Sequence, residues 1–137
     1  MIQVAAAIIE NEQGQLLIAR RKEGKSQAGL WEFPGGKIEE GESGEECLRR
    51  ELMEEMSIEI EPYEFVGVND HWYGDVHIRL FAWKATYQAG TITLADHDEY
   101  CWVGKNELGS FEFAEADKVF VQKLGAGGSQ IFNPAKL

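Results

Sequence analysis

The sequence is poor in cysteine, in positive charge and in long apolar runs, and each shortage removes a class of protein. Cys47 and Cys101 are the only thiols in 137 residues. They allow one bridge at most, which excludes a disulfide-stapled scaffold. The three histidines, His71, His77 and His97, have no ligand-like spacing to either cysteine, so a zinc site lacks support. No Asp-x-Asp-x-Asp-Gly run is present, which excludes a calcium loop of the helix-loop-helix kind. Thirteen Lys and Arg stand against 24 Asp and Glu, a net charge of −11. That balance argues against a nucleic acid polymer as partner, because phosphate-backbone binding needs clustered cations. Any phosphorylated substrate here calls for a divalent metal. No apolar run is long enough to span a bilayer. Residues 1 to 9, Met-Ile-Gln-Val-Ala-Ala-Ala-Ile-Ile, lack the basic start of a secretory signal and read as a buried strand. A reduced, cytoplasmic setting and no membrane partner are expected.

What is present fits one mixed domain over residues 1–124, of α/β (α+β) class, followed by a flexible Gly-rich tail over 125–137. Residues 2 to 9 and 15 to 21 read as strands joined by the Asn11–Gly14 turn, and are expected to pair as a hairpin. Leu30 to Phe33 is a short apolar piece stopped by Pro34. Ile58 to Val68 reads as a long strand bent at Pro62, Asn69 to Asp75 as a loop, and Val76 to Tyr87 as another strand. Asp96-His97-Asp98-Glu99 reads as an acidic loop before a strand at Tyr100 to Val103, and Ala114 to Leu124 as a helix.

The stretch from 35 to 58 carries the chemistry. Gly35 and Gly36 open a loop bare of side chains, and Ser43 begins a Ser-x-x-Glu capping box with Glu46, so a helix is expected from there to about Met56. Leu48, Leu52 and Met56, four apart, give it an apolar stripe. Glu51, Glu54 and Glu55 fall within about a 100° arc beside that stripe. Like charges at this spacing repel by about 0.2–0.5 kcal/mol per pair, a cost that a bound cation removes.

Gly36, Glu42, Arg50-Glu51-Leu52, Glu54-Glu55 and Ile58 match eight of the nine specified positions of the signature that defines the Nudix hydrolases, with Ser57 standing where the pattern has glycine. The sequence resembles that family, and Glu32-Phe33-Pro34-Gly35-Gly36-Lys37 is similar to its MutT-like subgroup. The resemblance covers about residues 2 to 124. It implies a Nudix fold, a mixed β-sheet between helices in an α/β/α sandwich. It also implies Mg2+-dependent hydrolysis, with Mn2+ as a possible substitute, of a (deoxy)nucleoside triphosphate to the monophosphate and pyrophosphate. Glu51, Glu54, Glu55 and the Gly35 carbonyl are the implied metal ligands, with Glu51 alternatively the base for water, and Arg50 the residue that holds carboxylates such as Glu42 in place. Glu99, or Asp98, is where the family supplies one more carboxylate.

For the substrate, the resemblance implies Arg21 as a contact and Asp117 as the reader of the base edge. Lys37 could meet a phosphate, and Phe33 or Trp72 could stack on a base. Val76 stands where the subgroup's type member has arginine and Asp117 where it has asparagine, so a cytosine nucleotide is as compatible as an oxidised guanine nucleotide. The alternatives are another substrate linked through a nucleoside diphosphate and a binding-only nucleotide sensor. A monomer or a homodimer is expected.

Overall fold

A computed structural model describes residues 1–125, so the tail expected over 125–137 lies, apart from Gly125, outside the described residues. The strands are β1 (Ile2–Glu10), β2 (Gln15–Arg21), β3 (Trp31–Glu32), β4 (Gly35–Lys37), β5 (Glu59–Tyr73), β6 (Val76–Ala89) and β7 (His97–Gly104). The helices are α1 (Gly44–Met56) and α2 (Lys118–Gly125), with 3₁₀ turns at Lys105–Ser110 and Glu115–Asp117. Among the described residues, no helix is long and apolar enough to cross a membrane.

One mixed sheet runs β3-β2-β1-β6-β5, with β4 added to β1 and β7 to β2. The apolar run of β1 is explained by burial on both sides. Ala5, Ala7 and Ile9 face the Cys47, Leu48, Leu52 and Met56 stripe of α1. Ala6 and Ile8 face Leu108, Phe113, Ala116 and Phe120. The mixed sheet therefore lies between α1 and the C-terminal turns and helix, in the α/β/α order expected. Helix α1 starts on the Ser43–Glu46 capping box, both of whose bonds are made.

The expected β1–β2 hairpin is only partly formed. The two strands share the register pair Glu10↔Leu16 and then separate, β2 pairing along its length with β7. Residues 31–37 wedge into the gap: β3 lies on β2 through Ala19↔Glu32, and β4 lies on β1 through Ala6↔Gly35. Between them the Ala7 N–H donates to the Pro34 carbonyl at 2.8 Å. This split in the sheet opens a cleft.

Three boundaries differ from the sequence reading. Asn69 to Tyr73 is not a loop but the end of β5, paired with β6 as far as Tyr73↔Val76, leaving a tight turn at Gly74 and Asp75. Cross-strand partners such as Asp70 with Arg79, and the stacked Trp72 and His77 rings, extend the ladder past the point where apolar pattern ends. Asp98 and Glu99 are likewise strand residues of β7. The last helix begins at Lys118, after a 3₁₀ turn that ends on Asp117.

Candidate active site

The cleft has a volume of about 700 Å3 and is lined by Arg21, Glu32, Gly35, Gly36, Lys37, Glu51, Glu55 and Asp96. Ile2, Val4, Val76, Ile78 and Leu80 add apolar lining, and Asp117 sits in the wall. That volume and mixed lining suit a small-molecule ligand with one charged and one apolar part.

The loop before α1 is fixed by close approach. A Cβ on Gly35 would stand 1.9 Å from the Ala5 carbonyl oxygen, and one on Gly36 would stand 2.2 Å from the Glu51 carboxyl carbon. Glycine at 36 therefore leaves the space that the Glu51 carboxyl occupies. Arg50 ties the assembly together. Its Nε donates to Glu42 at 2.7 Å and one Nη to the other Glu42 oxygen at 2.9 Å, a bidentate pair. The same guanidinium donates to Glu51 at 2.9 Å, to Glu54 at 3.4 Å and to the Lys37 carbonyl at 3.1 Å. Bonding to Arg50 lowers the Glu42 carboxyl to a pKa of about 2.

Glu51 and Glu55, one turn apart on α1, face the cleft side by side. Burial first, then the neighbouring Glu51 carboxyl and the charges of Glu32 and Asp96, push Glu55 up to about 9. Asp96 comes close because the Ala95 N–H donates to the Glu55 carbonyl at 3.0 Å, fastening the segment before β7 to the end of α1. Glu54 is on the rim, its side chain 61% exposed and turned to Arg50. Among the described residues, no three His, Cys, Asp or Glu side chains converge closely enough to ligate one ion. The donor set nevertheless fits a hard dication. Glu51 and Glu55 offer only oxygen, the Gly36 space admits the Glu51 carboxyl, and the crowding that raises Glu55 is relieved by positive charge.

Other residues marked in the sequence divide between the cleft and elsewhere. Arg21 lines it, with Nη1 donating to Glu32 at 2.8 Å and Nε to the Ser26 carbonyl at 2.7 Å. Lys37 lines the cleft and is exposed. Asp117 is 6% exposed, and one of its oxygens accepts the Phe33 N–H at 3.0 Å. Burial and the Glu32 charge raise its pKa well above the ordinary carboxylate range. Phe33 also lines the cleft, but the residue is only 2% exposed and its ring packs on Phe113 at 5.5 Å, so it serves the core more than an open stacking face. Trp72 is exposed at the far end of β5, stacked on His77. Glu99 is directed away from the cleft to Arg20 at 3.3 Å, its cross-strand partner, and the extra residue of β7 opposite the Arg20–Arg21 step, Asp98, lets His97 turn inward instead. Sequence reasoning passed over Glu32, His97 and Asp96. A lone acid inside the apolar Trp31-Glu32-Phe33-Pro34 stretch was the available signal for Glu32; the other two need the β2–β7 register.

A split mixed sheet whose cleft gathers carboxylates under a glycine loop makes a small-molecule site of strong negative charge, and comparison with known proteins gives its class: a hydrolase. The NUDIX domain model matches residues 2–124, and the chain belongs to the Nudix family. It is 40% identical over 117 residues to the CTP pyrophosphohydrolase of Escherichia coli, covering 85% of this chain and 86% of that one. It is 35% identical over 124 residues to the 8-oxo-dGTP diphosphatase of Haemophilus influenzae, covering 90% and 91%. The crystal structure of the MutT protein from Methanosarcina mazei superposes with a TM-score of 0.83 at 27% identity, over 94% of this chain and 96% of that one.

Proposed function

We propose that this Nudix hydrolase is a Mg2+-dependent pyrophosphohydrolase, which converts a (deoxy)nucleoside triphosphate into the monophosphate and pyrophosphate as part of cytoplasmic nucleotide-pool housecleaning. The observation that carries the reading is the Glu51 carboxyl seated against Gly36 and beside Glu55, with Arg50 binding it to the loop. Gly35, through its carbonyl, with Glu51, Glu54 and Glu55 would hold the metal. A bound Mg2+ supplies charge neutralisation for the polyphosphate and a more acidic water.

The chain's own residues supply orientation and proton transfer. Arg50 keeps Glu51 aimed at the cleft beside Glu55, and a carboxylate of this pair left off the metal accepts a proton from the attacking water. Arg21 and Lys37 offer cationic donors to the phosphates or sugar. The walls of Ile2, Val4, Val76, Ile78 and Leu80 exclude water around the base. Asp117, whose carboxyl burial pushes well above the ordinary carboxylate range, can accept from an exocyclic amino group and, where it carries a proton, donate to the adjacent ring nitrogen. That pattern complements the Watson–Crick edge of cytosine, and the similarity to the CTP pyrophosphohydrolase points the same way.

A panel of CTP, dCTP, 8-oxo-dGTP, the ordinary nucleoside triphosphates, nucleotide sugars and dinucleotides, assayed with Mg2+ for pyrophosphate release, tests the reading. Turnover is expected on at least one triphosphate, with Glu55→Gln slower by about two orders of magnitude or more. Silence across the panel, or wild-type rates in both Glu54→Gln and Glu55→Gln, would overturn it.

A further inference from the structure

Along the cleft wall runs a chain of polar groups, buried at its His97 end, that the box of carboxylates does not use. The His97 side chain is 3% exposed and its Nε2 is 2.9 Å from Glu32 Oε2. A carboxylate offers only acceptors, so Nε2 carries the proton and donates. The other Glu32 oxygen accepts Arg21 Nη1 at 2.8 Å, and Arg21 Nε donates to the Ser26 carbonyl at 2.7 Å. His97 Nδ1 is buried without a hydrogen-bond partner among the described residues.

The arrangement comes from three strands. Arg21 ends β2, Glu32 ends β3, and His97 opens β7 as the cross-strand partner of Arg21. Strand alternation sends Arg20 outward to Glu99 and Arg21 inward to Glu32, and the extra residue on β7, Asp98, puts His97 on the same face as Arg21. Arg21, Glu32 and His97 all line the cleft. Glu32 is thus gripped from two sides, and the guanidinium of Arg21 is gripped from two sides in turn. A longer bond runs from Nη2 to the Ser26 hydroxyl at 3.4 Å, and the two N–H groups left over are free for a ligand.

We infer that His97 is a positioning residue for substrate binding: it fixes Glu32, and Glu32 fixes the guanidinium of Arg21 in the plane that meets the nucleotide. This inference rests on the proposed triphosphate substrate only for its kinetic consequence. A long arginine side chain loses much rotamer freedom when it binds a ligand, and prior fixing removes part of that loss. A hydrophobic residue at 97 would fill the space and leave Glu32 free to swing, so Arg21 would enter binding held only from the Ser26 side. Glutamine at 97 keeps a side-chain N–H donor at a reach comparable to Nε2.

Two readouts test this on the full chain. In low-temperature 15N NMR the signal of Arg21 Nη1–H, the group that donates to Glu32, should be slow to exchange in the wild type, weakened in His97→Leu and restored in His97→Gln, with Nε–H, bonded to the Ser26 carbonyl, as the internal reference. With CTP and 8-oxo-dGTP as probes in Mg2+, His97→Leu should raise KM about tenfold, the scale of one lost charge-assisted hydrogen bond, with a much smaller change in kcat. In an Arg21→Ala background the same change at 97 should add nothing. An unaltered Arg21 signal in His97→Leu, a glutamine variant as impaired as the leucine one, or additive losses in the double variant would overturn the inference. If His97→Leu does not fold, Glu32→Ala takes its place and should weaken the same Arg21 signal. Absence of turnover in the wild type would count against the proposed function alone, since the NMR comparison reads without substrate.

Discussion

Ser57 ends α1 at φ 60 and ψ 33, in the left-handed region where a side chain crowds its own backbone. The turn still closes: the Ser57 N–H bonds the Met53 carbonyl at 3.1 Å, and the Ile58 N–H lies 3.4 Å from that of Leu52. The serine that departs from the signature therefore keeps the glycine's conformation and bears its strain. Ser57→Gly is expected to stabilise the fold by about 1 kcal/mol, raising Tm by a few degrees in calorimetry, with catalysis unchanged. A second residue-scale expectation concerns Glu42, held at a pKa of about 2 by Arg50 against an ordinary 4.5. A lowered folded-state pKa contributes stability that is complete above about 4.5 and is lost as pH falls toward 2. Urea midpoints taken at pH 7, 4 and 3 should therefore drop more steeply in the wild type than in Glu42→Gln.

At the scale of elements, β4 acts as a spacer between β1 and α1. Gly36→Ala puts a methyl group where the Glu51 carboxyl sits, and that flexible side chain can swing away. The expected result is a Tm within a few degrees of wild type together with an activity loss of tenfold or more, read by melting curves beside the pyrophosphate assay. Which elements the sequence made legible follows from the range of the forces that build them. Helix α1 is written locally, in Ser43, Glu46 and the Leu48, Leu52, Met56 stripe, and it formed as read. The carboxylate face could be placed for the same reason. β4, the end of β5 and the start of β7 are made by partners far along the chain, and Gly-Gly-Lys or Asn-Asp-His carries no strand pattern of its own. Glu99 was misplaced on those grounds. Its neighbours in sequence mark an acidic loop, whereas one extra residue on β7, Asp98, leaves Glu99 opposite Arg20 and brings His97 round to Glu32.

The whole molecule combines a net charge of −11 with two acids pressed together on α1. Ligand binding to the folded state alone stabilises it by about 2.7 kcal/mol at a hundred times Kd, so saturating Mg2+ is expected to raise Tm by several degrees. A Glu51→Gln/Glu55→Gln chain should melt at or above the wild type in chelator and fail to respond to Mg2+, as differential scanning calorimetry would read. The pairing of β1 has a further consequence, for the order in which the molecule can be assembled. β1 aligns in parallel with β6 from Ile2↔Ile78 to Glu10↔Thr86. The strand near the beginning of the chain thus waits for one synthesised some 75 residues later. Until then Val4 to Ile9 is an apolar ribbon with an open edge, the kind of segment that attracts other chains. Contacts this distant in sequence are closed slowly. On the ribosome, the seam beside which the cleft later opens is thus the part of the nascent chain most in need of a chaperone.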